Sequence, residues 1–379
     1  MEYNNFEQFG ISDDILQAIE DKGYTEPTEI QKLAIPPLME WRDLIAKAPT
    51  GTGKTYAFGI PIIEQTNENE NTVQALILAP TRELALQINA DIRDLTKYRQ
   101  KLKTVCLYGG QPISRQMQAL SKKPQIIVAT PGRLLDHLNR KSVNLKNVNT
   151  VVLDEADRML DMGFMRDVTR ILDRTQNRVN LALLSATLST DVMTVGWKYQ
   201  RDAVEILVRA EVENKPDISQ YSIEAGELQK PRIILDLMEK EKLDRAMVFC
   251  NTKSKVERVT KMLKYKGMAV DCIHGDIRQA QRERVLADFR KGKLKILVAT
   301  DVAARGLDID DVDAVFNYDI PDDNENYVHR IGRTGRAKRS GVAYSFVSSI
   351  ADSIRLQDIA SKAKYKIEKI NPKENAAEN

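Results

Sequence analysis

Ala48-Pro49-Thr50-Gly51-Thr52-Gly53-Lys54-Thr55 has the composition of a loop built to hold phosphate. Ahead of it Trp41-Arg42-Asp43-Leu44-Ile45-Ala46 is a short apolar run suited to a strand, and behind it Tyr56-Ala57-Phe58 suits the start of a helix. Strand, Gly-rich turn, Lys-Thr and helix is the layout of a phosphate-binding loop. Gly51 and Gly53 let backbone N–H groups face an anion with no Cβ in the way, and the helix N-terminus adds positive potential. Lys54 brings a mobile cation, and the Thr55 hydroxyl suits Mg²⁺. The strict pattern places Gly at the first position, where this chain has Ala48.

Composition narrows the class. With 379 residues, 42% of them hydrophobic, the chain can fill two cores. A net charge of +3 does not by itself argue for nucleic acid. Cys106, Cys250 and Cys272 each sit in an apolar, strand-like run without a C-x-x-C pair, which predicts buried free thiols and a reducing compartment. His137, His274 and His329 lie far apart, which argues against a zinc site. The polar, acidic N-terminus does not resemble a signal peptide. Apolar runs stay well short of the ~20 residues of a membrane span. A soluble cytoplasmic protein with no membrane association is expected.

Along the chain, Ser12-Asp13-Asp14 suits the cap of a helix with Ile15, Leu16 and Ile19 on its apolar face and Gly23 at its end. In Gly23 to Gln31, Thr28-x-x-Gln31 is a capping box for the next helix. The same stretch has a second use, with Tyr24 stacking on a base and the Gln31 amide matching the donor and acceptor edge of adenine. Short apolar runs then alternate with helical patterns. Ala75 to Ala79 leads into Pro80-Thr81-Arg82, and Thr104 to Tyr108 into Gly109-Gly110. Gln125 to Ala129 leads into Thr130-Pro131-Gly132-Arg133, and Leu181 to Leu184 into Ser185-Ala186-Thr187. Such alternation predicts a parallel sheet with helices on both faces and ligands at the carboxyl ends of its strands.

The second half echoes the first. Leu76 to Arg82 matches Met247 to Lys253, Cys106 to Gly109 matches Cys272 to Gly275, and Ile126 to Thr130 matches Ile296 to Thr300, in the same order. Two copies of one α/β domain are expected, with residues 1–210 and 220–370 as the domains, 211–219 as linker and 371–379 as a frayed tail. A last helical pattern runs through Ile354, Ile359 and Ala363. No second Gly-Lys-Thr loop follows, so only the first copy can cradle a triphosphate.

Asp154 and Glu155 directly follow the apolar run Val151-Val152-Leu153. One carboxylate there can hold the Mg²⁺ shared with Thr55 and phosphate, and its neighbour can orient and deprotonate water. Near the end, Tyr327 to Arg336 places Arg330, Arg333 and Arg336 at three-residue spacing, which would put them on one helix face. Arginine pairs phosphate bidentately and, supplied from a neighbouring domain, stabilises the charge of phosphoryl transfer.

These motifs together resemble the DEAD-box RNA helicases of superfamily 2, in their minimal two-domain bacterial form, over roughly Phe6 to Tyr365. The resemblance implies an α/β fold of two tandem RecA-like domains, each a mostly parallel sheet flanked by helices. It implies an RNA helicase and ATP phosphohydrolase that uses ATP and Mg²⁺. Phe6, Tyr24 and Gln31 would recognise adenine, and Thr50, Gly51, Thr52, Gly53, Lys54 and Thr55 the phosphates, with Ala48 the usual family variant. Asp154 would bind Mg²⁺ with Thr55, Glu155 would be the general base, and Asp308 would touch the ribose. Arg333 and Arg336 would be the arginine fingers. Ser185 and Thr187, with His329 nearby, would couple ATP state to unwinding. RNA contacts would come from Pro80, Thr81, Arg82, Gly109, Gly110, Thr130, Pro131, Gly132 and Arg133, and from Asn251, Gln279, Arg282, Thr300 and Gly306. Small, hydroxyl and arginine residues suit phosphates and 2′-hydroxyls, so sequence-indifferent binding of single-stranded and short duplex RNA is expected, by a monomer open to ribonucleoprotein partners. An ATP-gated RNA clamp that seldom unwinds shares every one of these residues. The strand echo and phosphate loop alone also fit a DNA translocase of related fold, and Asp154 to Asp157 with the adenine motif single out the RNA group.

Overall fold

The computed structural model describes residues 3–49, 51–208, 218–304, 309, 312–335, 340–363 and 365–371, and leaves out the side chains of Gln279, Val302 and Glu325. The chain divides into two units, Met1–Val212 and Glu213–Asn379. Of the expected linker, residues 211–217 lie outside the described set, while Ile218 and Ser219 already belong to a strand.

In the first unit, β1 (Leu44–Lys47), β2 (Ala75–Leu78), β3 (Thr104–Leu107), β4 (Ile126–Ala129), β5 (Thr150–Asp154), β6 (Asn180–Ser185) and β7 (Val204–Leu207) form a parallel sheet ordered β3-β4-β2-β5-β6-β1-β7. In the second, β8 (Ile218–Glu224), β9 (Ala246–Phe249), β10 (Val270–Ile273), β11 (Ile296–Ala299), β12 (Ala314–Asn317), β13 (Gly341–Val347) and β14 (Glu368–Lys369) are ordered β10-β11-β9-β12-β13-β8-β14, also parallel. The two orders are the same position by position, so the echo in the sequence is a repeated fold. β8 stands where β1 stands, but Ala225-Gly226-Glu227 follows it in place of a phosphate loop.

Strand alternation builds the layers. Along β2, Ala75 and Ile77 enter the hydrophobic cluster on one face, while Leu76 and Leu78 enter the cluster on the other. A parallel sheet covered on both faces needs such continuous apolar runs. The strand before the phosphate loop starts at Leu44 rather than Trp41, whose φ of +61° places it in the preceding turn. The helix after the loop begins at Lys54, earlier than Tyr56. Ser12 occupies an N-cap position, but its hydroxyl donates to Glu64 Oε1 at 2.5 Å and accepts from Arg99 Nη2 at 2.5 Å instead of capping. In the last long helix, Ile350–Ala363, Leu356 and Ile359 form the buried face and Ile354 is exposed. The three cysteines are free; Cys250 is buried, whereas Cys106 and Cys272 are half-buried. Among the described residues, no helix is long and apolar enough to cross a membrane.

Candidate functional site

The loop after β1 turns through Gly51 (φ +82°) and Gly53 (φ +89°), backbone that glycine adopts without strain. Helix Lys54–Gln65 starts directly behind it. Thr50 lies outside the described residues. Lys54 is buried, and its Nζ donates to Ala48 O at 3.1 Å. Thr52 Oγ1 donates to Pro49 O at 2.9 Å, which tightens the loop. Ala48 is fully buried in the core and its N–H donates to Ser185 O at 2.9 Å, so a side chain at this first position is packing material and no glycine is needed.

Gln31 is the link between the adenine motif and this loop. Its Oε1 accepts from Thr28 N–H at 2.9 Å, completing the capping box of helix Glu29–Met39, and its Nε2 donates to Gly53 O at 3.1 Å. The approach is close: a Cβ on Gly53 would lie 2.6 Å from Gln31 Nε2 and 3.1 Å from Thr28 Oγ1. Tyr24 is half exposed and meets Tyr56 edge-on at 5.2 Å. Phe6 is buried against Phe9.

Because β5, β6 and β1 are neighbours, their carboxyl ends bring Asp154, Ser185 and the phosphate loop side by side. Asp154 is buried, and its carboxyl accepts from Glu155 N–H at 3.0 Å. Burial pushes its pKa up to about 6; the nearby Lys54 opposes this rise and Glu155 reinforces it. Glu155 holds a left-handed backbone at φ +50° and ψ +51°, a conformation that costs a non-glycine residue about 1 kcal/mol or more and clusters at functional sites. Its Oε2 accepts from Arg158 Nη1 at 2.5 Å. Asp157 Oδ2 accepts from both the N–H and the hydroxyl of Thr187, and Asp157 N–H donates to Ser185 Oγ at 3.1 Å. Arg158 escaped the sequence reading, although its place three residues after Glu155 was a signal for this ion pair.

The other half of the sheet, β3-β4-β2, ends in the RNA-contact candidates. Thr81 caps helix Arg82–Leu95 through Leu84 N–H, so part of its motif is local structure. The Arg82 guanidinium lies 4.4 Å from the centre of the Tyr108 ring. Gly109, Gly110 and Gly132 are exposed, Gly110 at φ +86°, and a Cβ on Gly109 or Gly132 would meet open space. Thr130 and Arg133 are half-buried and Pro80 and Pro131 buried.

In the second unit Arg330 and Arg333 do not share a helix face. Helix Asn324–Ile331 ends at Gly332, leaving Arg333 beyond it, and Arg336 lies outside the described residues. The exit is held by the Thr334 hydroxyl, which donates to Val312 O, and by Gly341, where a Cβ would strike Thr334 and Gly335. Arg330 is fully buried. It pairs bidentately with Asp301 (2.6 and 2.7 Å) and donates to Asn251 Oδ1 at 2.8 Å and Asp319 O at 2.6 Å. This network joins Asn251 after β9 to the start of the segment that follows Thr300. Arg282 Nη2 donates to Ala303 O at 2.8 Å, His329 is exposed and Arg333 is half-buried. Gly306, Asp308 and the side chain of Gln279 lie outside the described residues.

A repeated RecA-like unit with a phosphate loop, an Asp-Glu-Ala-Asp strand end and a Ser-Ala-Thr strand end defines a two-domain ATPase of the helicase type. The DEAD/DEAH box helicase model matches residues 28–195 and the helicase conserved C-terminal domain model residues 229–338. The chain belongs to the DEAD-box ATP-dependent RNA helicases. It is 43% identical to the DEAD-box ATP-dependent RNA helicase CshA of Bacillus cereus, over 97% of this chain and 69% of that protein. It is 42% identical to CshA of Bacillus subtilis, over 96% of this chain and 74% of that protein. The structure of S. cerevisiae Dbp5 bound to RNA and ADP BeF3 superposes with a TM-score of 0.85 at 31% identity, covering 97% of this chain and 96% of that one.

Proposed function

We propose that this protein hydrolyses ATP in response to RNA and uses the cycle to separate short RNA duplexes locally and to remodel RNA–protein complexes. The supporting observation is the division of one sheet's carboxyl ends. β5-β6-β1 carries Lys54, Asp154, Glu155 and Ser185, and β2, β3 and β4 carry Pro80–Arg82, Gly109–Gly110 and Thr130–Arg133. Membership of the DEAD-box family and the likeness to an RNA-bound relative support it further.

The roles are those the resemblance to the DEAD-box family implies for these residues. Phe6, Tyr24 and Gln31 form the adenine side, and Asp308 takes the ribose. Thr50 to Thr55 take the phosphates. Mg²⁺ fits the site: the buried Asp154 carboxyl has one backbone donor and a raised pKa, the mark of a charge awaiting a cation, and Thr55 is close behind Lys54 in sequence. When bound, Mg²⁺ offsets the phosphate charge that builds up during transfer. Glu155 receives the proton of the attacking water. Arg333 and Arg336 of the second unit stabilise the γ-phosphate in the ATP- and RNA-bound state. Ser185 and Thr187 with His329 couple that state to RNA. Backbone amides, hydroxyls and guanidiniums grip phosphates and 2′-hydroxyls, so binding is indifferent to sequence. We also propose a monomer resident in the cytoplasm, where three free thiols are at home.

Steady-state hydrolysis with single-stranded RNA, and with DNA of the same sequence, tests the proposal. RNA should stimulate and DNA should not; equal stimulation would point to a DNA translocase.

A further inference from the structure

Helix Ile113–Leu120 buries a single side chain, and that side chain is polar: Gln116 is 1% exposed. A surface helix ordinarily buries apolar residues, and a buried amide costs free energy unless all its groups are paired. Gln116 is paired at both ends. Its Nε2 donates to Tyr108 O at 2.9 Å, and its Oε1 accepts from Arg133 Nη1 at 3.1 Å and from His137 Nε2 at 3.0 Å. With the amide nitrogen committed to Tyr108, its oxygen must receive, so His137 carries its proton on Nε2. His137 is fully buried, and its Nδ1 meets Ser142 Oγ at 2.8 Å. Arg133 Nη1 also donates to Gln111 O at 2.9 Å. Tyr108, whose carbonyl Gln116 holds, carries Arg82 over its ring.

We infer that Gln116 is a positioning residue for RNA binding, an amide that fixes the Gly109–Gly110 turn and the Arg133 guanidinium relative to each other, and Arg82 through Tyr108. The inference rests on the assignment of those segments to RNA. Three segments after three different strands must present their groups to one phosphate backbone at once. Gln116 is the atom-level tie between them: one amide receives the guanidinium and holds the carbonyl just before the glycines. His137 fills the remaining acceptor site on Oε1 and so keeps the amide from flipping.

The test is RNA-stimulated ATP hydrolysis titrated with poly(U) for wild type, Gln116→Met, Gln116→Glu, Arg133→Ala and the Gln116→Met/Arg133→Ala double variant. Gln116→Met keeps the volume and loses both polar ends. Its half-saturating RNA concentration should rise about tenfold, the equivalent of one or two hydrogen bonds, with turnover at saturating RNA and the KM for ATP within about twofold of wild type. Gln116→Glu keeps the acceptor for Arg133 and His137 and loses the donor to Tyr108; it should rise about threefold, and it carries the test if Gln116→Met does not fold. The double variant should lose less than the product of the single losses. If Arg133→Ala weakens RNA while both Gln116 variants bind as wild type, Gln116 does not position the site. A Gln116→Met variant that loses turnover and ATP affinity in step with RNA affinity would show a structural role only. If Arg133→Ala and the Gln116 variants all bind RNA as wild type, the RNA assignment itself fails and this inference goes with it.

Discussion

Asp157 Oδ2 receives two hydrogen bonds from Thr187, from the backbone N–H at 2.8 Å and from the hydroxyl at 2.9 Å. The strand end assigned to ATP is thereby latched to the strand end assigned to coupling. Thr187→Val keeps the shape and the N–H bond and removes the hydroxyl donor. A hydrogen bond to a buried carboxylate is worth about 1.5–3 kcal/mol, so duplex separation should fall roughly tenfold or more. RNA-stimulated hydrolysis should stay within about threefold, because no group that touches phosphate changes. Strand-displacement and ATPase assays on the same preparation check this. Equal losses in both would mean that Thr187 serves hydrolysis itself.

Lys54 stands at the first turn of its helix, buried, and its Nζ donates to the Ala48 carbonyl at 3.1 Å. Its ammonium is available to exchange that carbonyl for phosphate oxygens. Lys54→Ala should lower turnover by about 10²- to 10³-fold, the usual loss for a preorganised charge in a water-poor site. Retained turnover at saturating ATP would contradict the assignment of the loop.

Gln31 has two jobs in one amide, helix cap and phosphate-loop tie, and a third is proposed. Gln31→Ala should reduce the preference for ATP over GTP by about tenfold and lower stability by about 1 kcal/mol through the lost cap. Competition binding of the two nucleotides, alongside thermal melting, separates the effects. A lower melting temperature with unchanged preference would leave Gln31 as a cap alone.

Asp154 supplies a pH signature. Its folded-state pKa of about 6 lies above the ordinary 3.8, so the folded protein holds this proton more tightly than the unfolded chain does. Stability from this group is therefore present at low pH and is lost as pH rises through the folded-state value. With chelator and no nucleotide, the stability of wild type relative to Asp154→Asn should fall by about 1 kcal/mol between about pH 5 and pH 7. Chemical denaturation at several pH values measures the difference. A flat difference would mean that the carboxyl is not held in a low-dielectric site.

Much of this architecture was legible in the sequence because its signals are local. The phosphate loop and Asp-Glu-Ala-Asp sit directly at strand ends, and the echo of Leu76–Arg82 in Met247–Lys253 repeats strand, turn and Thr cap in one stretch. The missing features depend on distant partners. Arg330 reads as one of three arginines on a helix face, yet it is drawn inward by Asp301, Asn251 and Asp319, and the helix ends before Arg333. Gln116 lies on a short surface helix, and its burial depends on Tyr108 after β3 and on Arg133 and His137 of helix Pro131–Asn139. Gln31 read as cap or adenine reader; its bond to Gly53 needed the fold to bring residues 22 apart together.

ATP hydrolysis by this protein is proposed to be driven by RNA and to open RNA. The most direct measurement follows ATP turnover and strand release together on a short RNA duplex with a single-stranded tail, beside a DNA duplex of the same sequence. Turnover and strand release are expected with RNA, neither with DNA, and both should be lost in Glu155→Gln. Hydrolysis stimulated equally by DNA, or RNA-stimulated hydrolysis with no strand released, would contradict that proposal.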